Sequence, residues 1–366
     1  TPKDGQVAAA GASAAAGNLT QPTLEDFWEH RAHFVVDVVD TGLPMGESDT
    51  LVVSDDELWS YVHASTESAG VLTPAGDPVD FPGCVVIYRS VDGGGSFTPE
   101  TPRCLFRCTD TPCSSLMDHI DQQQYPRVAR AGPYFLIAYE YRGRIRLRRS
   151  SDGLDWGAPE RVADTGIWLN WSPTCPPETR IGPPPFVPPG YACLHGGRPG
   201  IFVEQGRVYI FAGLGQNPGH MGCYVGAITQ PAERYQPCEA NPLFGGASSY
   251  GPPSERGRGA NDYFGFRTVS SADAVRVGEH VYLFFEGVRG PGPGDPGDSQ
   301  FGLGLARSTT REIDGPWELF PANPILVDLP GNVGLGHADV VVLQRKTYLY
   351  TSLDGVKRSR LVLTWR

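Results

Sequence analysis

One phrase recurs five times along this chain, and it constrains the fold more than any other feature. Its clearest copy is Asp273 to Gly287, Asp-Ala-Val-Arg-Val-Gly-Glu-His-Val-Tyr-Leu-Phe-Phe-Glu-Gly. It reads as a short strand, a Gly278-Glu279 turn and a second strand rich in β-branched and aromatic residues. Further copies open at Asp49, Pro126, Pro199 and Asp339, at spacings of 66 to 77 residues. Hairpins repeating at a near-fixed period mark a repeat architecture.

Each unit carries more than its hairpin. The first continues into Cys84-Val-Val-Ile-Tyr-Arg-Ser and then Ser90-Val-Asp-Gly-Gly-Gly-Ser-Phe97. The second has Arg144-Ile-Arg-Leu-Arg-Arg-Ser150 followed by Asp152-Gly-Leu-Asp-Trp156, and the fourth has Ala306-Arg-Ser308 followed by Asp314-Gly-Pro-Trp317. A strand, an Arg-Ser, an Asp-Gly turn and an aromatic residue describe a corner between two outer strands. Ser and Asp bind turn amides there and glycine takes positive φ, a structural role. Four strands per unit and five units predict an all-β, five-bladed β-propeller. The fifth unit stops at Arg366 with three strands, while Phe34–Val39 has no unit of its own. It is expected to close the ring beside Leu361–Trp365.

The expected organisation is a flexible Ala/Gly/Ser-rich tail over 1–23 and one propeller domain over 24–366. Leu24 to His33 is expected to form one or two helical turns, with Phe27 and Trp28 packing on the body. The 46 Gly and 34 Pro suit a turn-rich β protein. A net charge of −11 argues against a nucleic-acid partner. No apolar run is long enough to span a membrane. Eight cysteines, none in a Cys-x-x-Cys pair, point to disulfides rather than zinc. Local closure suggests Cys84–Cys104, Cys108–Cys113, Cys175–Cys193 and Cys223–Cys238, and with them an oxidising, secreted or periplasmic location. Asn18 and Asn170 stand in glycosylation sequons, by chance or in use. The chain is expected to be a monomer.

In a propeller the inner strands all begin at one mouth of the central channel. Asp49, Arg127, Arg198, Asp273, His337 and Asp339 should therefore converge. Three carboxylates around a funnel suit glycoside hydrolysis, where one protonates the leaving oxygen and another activates water or attacks the sugar. Aspartates at strand starts also satisfy backbone amides, so a structural role stands beside the catalytic one. Trp168 and Trp171 are candidate sugar platforms, as are Tyr250 and Tyr263. Arg256, Arg258, Asn261, Asp262 and Arg267 are further polar candidates on loops long enough to line a cleft.

The segment Gly336-His-Ala-Asp-Val-Val-Val resembles the fifth-blade Gly-His segment of glycoside hydrolase family 43 arabinanases. Ala306-Arg-Ser, Asp314-Gly-Pro-Trp-Glu and Asn323-Pro-Ile-Leu are similar to segments of five-bladed glycosidases and glycoside phosphorylases. Gly46-Glu-Ser-Asp49 resembles the start of the endo-D-arabinanase family 183. The resemblance implies a secreted hydrolase of arabinofuranoside linkages in an arabinan-type polysaccharide. It places Asp49 as the base. Arg127 and Arg198 stand where family 43 has its other two carboxylates, which leaves Asp273 and Asp339 as candidate acids. It also implies His337 near a central metal or water, with a structural Ca2+ in the channel and no catalytic cofactor. The other readings are a non-catalytic sugar-binding propeller, a sialidase-like enzyme suggested by Ser90-x-Asp-x-Gly-x-Ser-Phe97, and a phosphorylase with Arg127, Arg198 and His337 around phosphate.

Overall fold

In a computed structural model the chain is described over residues 21–64, 84–100, 104–106, 123–141, 144–162, 197–214, 220–245, 268–289, 300–327 and 337–366. Five antiparallel sheets are present and form a five-bladed β-propeller. The inner strands are Ser48–Val52, Gln123–Ala131, Gly197–Glu204, Thr268–Val277 and Asp339–Leu343. Each touches the inner strands of both neighbouring blades, and the fifth returns to the first, so the ring is closed. Blades one and two have four strands in sequence order. Blades three and four each add a short fifth segment, Phe244–Gly245 and Leu326–Val327, paired to the third strand.

The fifth blade is completed from the other end of the chain. Ala32–Val38 pairs antiparallel with Ser359–Trp365, placing Phe34 opposite Leu363 and Val36 opposite Leu361. The closing strand runs slightly earlier than the predicted 34–39. Arg360 binds Asp37 across the seam at 2.6 Å, and the Ser359 hydroxyl donates to the Val39 carbonyl. Before it, the helix is a single turn, Leu24–Trp28, with a Thr23/Asp26 capping box. Trp28 packs on Phe320 and Tyr282 of blade four, and Phe27 on Phe34.

The second strands read as unbroken apolar runs because both faces of each blade are covered. In Val281-Tyr-Leu-Phe-Phe285, Val281, Leu283 and Phe285 pack toward blade three, while Tyr282 and Phe284 pack toward blade five. Five apolar clusters result, one at each interface between adjacent blades.

The Asp-Gly corners have the predicted structural role and also join neighbours. Asp92 accepts from the amides of Gly95 and Ser96, and Asp152 from those of Leu154 and Asp155. The Tyr350 hydroxyl of blade five donates to Gly94 O of blade one, and the Tyr61 hydroxyl of blade one to Gly153 O of blade two. Gly94 and Gly153 both have positive φ, and a Cβ on either would stand within 3 Å of the tyrosine oxygen. The Asn323-Pro segment is structural as well. Asn323 binds both backbone groups of Leu305 at 2.9 Å, and Asn241 binds those of Cys223 in the same way.

Disulfides Cys84–Cys104 and Cys223–Cys238 are formed as expected. Cys108, Cys113, Cys175 and Cys193 lie outside the described residues, as do the tail, both sequons and the loop candidates Trp168, Trp171, Tyr250, Arg256, Arg258, Asn261, Asp262, Tyr263 and Arg267. Among the described residues no helix is long and apolar enough to cross a membrane.

Candidate active site at the channel mouth

The inner strands begin with a shared local device. In blades two, three and four a bulge precedes the regular ladder, and Tyr125, Arg198 and Ser271 take positive φ there. The matching positions in blades one and five are Glu47 and His337. Two residues further on stand Asp49, Arg127, Gly200, Asp273 and Asp339. Residues two apart share a strand face and stand about 6.6 Å apart along it, so the two sets form successive layers. The first forms the mouth and the second forms a floor beneath it.

The three aspartates meet on the axis, as the sequence predicts, with one oxygen of each within 4.8 Å of the others. All three are buried in the floor layer, Asp49 at 6% and Asp273 at 7% exposure. Asp339 is 0% exposed. It accepts from Thr50 N at 3.1 Å, Thr50 Oγ1 at 2.6 Å and Ser48 Oγ at 3.1 Å. Asp49 accepts from Val128 N and Asp273 from Val340 N, each in the next blade around the ring. These bonds tie blade one to two, four to five and five to one. They are the strand-start role that the sequence left open for these residues.

Arg127, expected to contact substrate, is also in the floor and is 1% exposed. Its guanidinium donates to the carbonyls of Ser48, Ala338 and Ser271 at 3.1–3.2 Å and stands 3.6 Å from Asp49. A second buried guanidinium, Arg358, donates to Ser48 Oγ and to the carbonyls of His337 and Tyr350. Burial pushes the Asp49 and Asp339 carboxyls up from the ordinary range, and pushes Asp273 up to about 7. Burial, with Arg127 nearby, brings Arg358 down to about 10.

The mouth holds a different set of carboxylates. Glu47 accepts from His63 Nδ1 at 2.7 Å and stands 3.3 Å from His337 Nε2. His337 Nε2 is also 3.1 Å from Glu286, and its Nδ1 meets Ser271 Oγ at 2.9 Å. Glu286 binds Ser270 Oγ at 3.2 Å and Arg198 Nη1 at 3.4 Å. Glu140 accepts from the Arg198 amide at 2.7 Å. The Arg198 guanidinium lies 5.5 Å from the centre of the Tyr125 ring, and Tyr125 faces His337 and His63 in turn.

Burial opposes the Glu47 charge, but His337 and His63 outweigh it and hold the carboxyl well below the usual carboxylate range. Burial also raises the Tyr125 hydroxyl, which stays neutral. Arg198 is held cationic against burial by Tyr125, Glu286 and Glu140.

Of the expected site residues, then, Arg198 and His337 line the mouth, while Asp49, Arg127, Asp273 and Asp339 lie beneath it. Sequence reasoning missed Glu47, His63, Tyr125, Glu140 and Glu286 as site residues. His63, Glu140 and Glu286 occupy one register position, two residues past the partners of the floor positions Asp49, Arg127 and Asp273. A titratable residue in the later half of a largely apolar second strand was the signal.

No protein-family profile and no curated protein sequence matches the chain. Solved structures do match in fold. An endo-arabinase from Bacteroides thetaiotaomicron is similar at 12% identity and a TM-score of 0.53, over 91% of this chain and 97% of that one. An α-L-arabinanase from Cellvibrio cellulosa, solved with arabinohexaose, has 14% identity and a TM-score of 0.51, over 88% and 93%. An α-L-arabinofuranosidase from Podospora anserina, solved with cellotriose, has 12% identity and a TM-score of 0.51, over 91% and 96%. At these identities the likeness is one of fold: the chain shares the five-bladed β-propeller seen in family 43-type arabinanases and arabinofuranosidases.

Proposed function

We propose that this protein is a glycoside hydrolase acting on arabinofuranoside linkages of an arabinan-type polysaccharide. The observation that carries the reading is the gathering of Glu47, Glu140 and Glu286 at one end of the channel, with Glu47 held ionised by two imidazoles. An ionised carboxylate beside a carboxylic acid is the pair that glycoside cleavage needs. Glu47 takes the role of base or nucleophile. Glu286 is wholly buried, with both oxygens engaged by Arg198, Ser270 and His337, and anchors the site's charges. Glu140 is only half-buried and takes the role of acid. Arg198 contributes a cation against the sugar, and the buried Tyr125 packs between Arg198, His337 and His63 and holds them in place.

In this reading the enzyme works as a monomer outside the cytoplasm, and the two disulfides support the oxidising compartment. Trp168, Trp171, Tyr263 and Arg267 belong to the same proposal as sugar contacts, on the strength of sequence alone.

The test is a panel of polysaccharides, arabinans included, incubated with and without phosphate, with new reducing ends measured. The expected result is phosphate-independent cleavage of an arabinan that falls by at least ~100-fold in Glu47→Gln. Binding to a polysaccharide without cleavage of any would favour the sugar-binding reading instead. Cleavage that requires phosphate would favour the phosphorylase.

A further inference from the structure

The resemblance to arabinanases implies a metal ion on the propeller axis, and the floor residues provide a test of that fit. A hard cation in a channel takes oxygen ligands, carboxylates and backbone carbonyls together. The floor supplies both kinds, the aspartate oxygens and the carbonyls of Ser48, Ser271 and Ala338. Those carbonyls already have a cation. The Arg127 guanidinium donates to all three, which come from blades one, four and five, while Arg127 itself belongs to blade two. A metal ion on these oxygens would have to displace a side chain that has no exposed route away, being 1% accessible.

We infer that Arg127 is the resident cation of the propeller axis, standing where a metal ion would otherwise bridge the blades. Its donors fan out in one plane toward separate acceptors, as a guanidinium's geometry allows and an ammonium's does not. Asp49, 3.6 Å away, supplies a counter-charge. The Arg358 guanidinium adds bonds to Ser48, His337 and Tyr350. Two arginines against three aspartates leave the floor close to neutral once one carboxyl keeps its proton. A covalently attached cation cannot be lost to chelators or to calcium-poor surroundings. It also sits two residues from Tyr125, so the floor and the mouth of blade two are positioned by one short segment.

The experiment compares wild type with Arg127→Met, which keeps the apolar stem and removes the charge. Melting temperature is followed in EDTA and in millimolar CaCl2, and the metal content of purified wild type is measured. For wild type the expected result is no calcium bound at the axis and no change of melting temperature between the two buffers beyond that shown by Asp273→Asn. Arg127→Met should melt lower in EDTA, and CaCl2 should restore several degrees, because the vacated carbonyls and aspartates then present an oxygen cage. A variant that folds only with calcium supports the inference equally. Loss of wild-type stability in EDTA that disappears in Asp273→Asn would place a metal on the axis and overturn it. An Arg127→Met protein that folds and ignores calcium would overturn it as well. If that variant folds under neither condition, the wild-type metal content and chelator response decide.

Discussion

His63 Nδ1 lies 2.7 Å from Glu47 Oε2, a contact between the second strand of blade one and the residue just before its inner strand. It fixes the carboxylate from behind while His337 approaches from blade five. His63 is a positioning residue in this arrangement: it acts on the reaction through Glu47.

Removing it should therefore move a pH profile before it moves anything else. Glu47 is depressed below its ordinary value, so a base at that position stays active down to acid pH. Without His63 the carboxyl climbs back toward about 4.5 and protonates earlier as pH falls. In His63→Ala the acid limb of kcat/KM should shift to higher pH. His63→Gln, which keeps a donor near Glu47, should shift it less. An unmoved limb in both variants would remove His63 from the site.

The assignment of Glu140 as acid makes a separate prediction. A general acid matters in proportion to how poor the leaving group is. Glu140→Gln should cut turnover on an arabinan by roughly 100- to 10,000-fold. On an aryl arabinofuranoside with an acidic phenol as leaving group it should lose far less. Equal losses on both substrates would transfer the role to another carboxyl.

The floor aspartates should behave as structural residues. Asp339 accepts three hydrogen bonds while fully buried, and Arg358 lies close by. Asp339→Ala strands those donors and an arginine charge, at a cost of about 3–5 kcal/mol. A thermal melt should show a fall of roughly 4–6 °C, taking about 1.3 °C per kcal/mol for a chain of 366 residues. Retained stability with lost hydrolysis would return Asp339 to the catalytic set.

The blade count, the closing strand and the corner motif were legible because they depend on local pattern. Apolar runs such as Val281–Phe285 report burial on both faces, and Asp-Gly corners report positive φ. The convergence of inner-strand starts was legible too, since ring topology alone requires it. What the pattern did not carry was depth along the channel. Asp49 and Glu47 are two residues apart, and both are acidic. Only their places along the ring's inner strands decide that one meets the Val128 amide of the next blade and the other meets imidazoles. Glu286 was hidden for another reason. It ends the apolar run Tyr282-Leu-Phe-Phe-Glu, where its charge is paid for by Arg198 from blade three and His337 from blade five, partners that no local reading joins.

The floor also predicts how stability varies with pH. Burial raises Asp273 to about 7, against an ordinary value of 3.8, with Arg127 opposing and Asp339 adding to the rise. The folded chain therefore holds this proton more tightly than the unfolded chain does. The resulting stabilisation is complete below about pH 3.8 and is lost as pH rises through about 7. Asp273→Asn keeps an acceptor oxygen for Val340 N–H and never ionises. Relative to wild type, the variant should gain in stability between pH 4 and pH 8, by a few kcal/mol at most given ~1.4 kcal/mol per unit, and its melting temperature should rise accordingly. Glu47 contributes with the opposite sign. Its stabilisation is present above about pH 4.5 and is lost as pH falls below that, so it leaves the neutral window clear for Asp273. Melting curves collected at half-unit steps separate the two. If wild type and Asp273→Asn keep a constant difference across the range, Asp273 is ionised throughout, and the neutral floor inferred around Arg127 does not hold a proton.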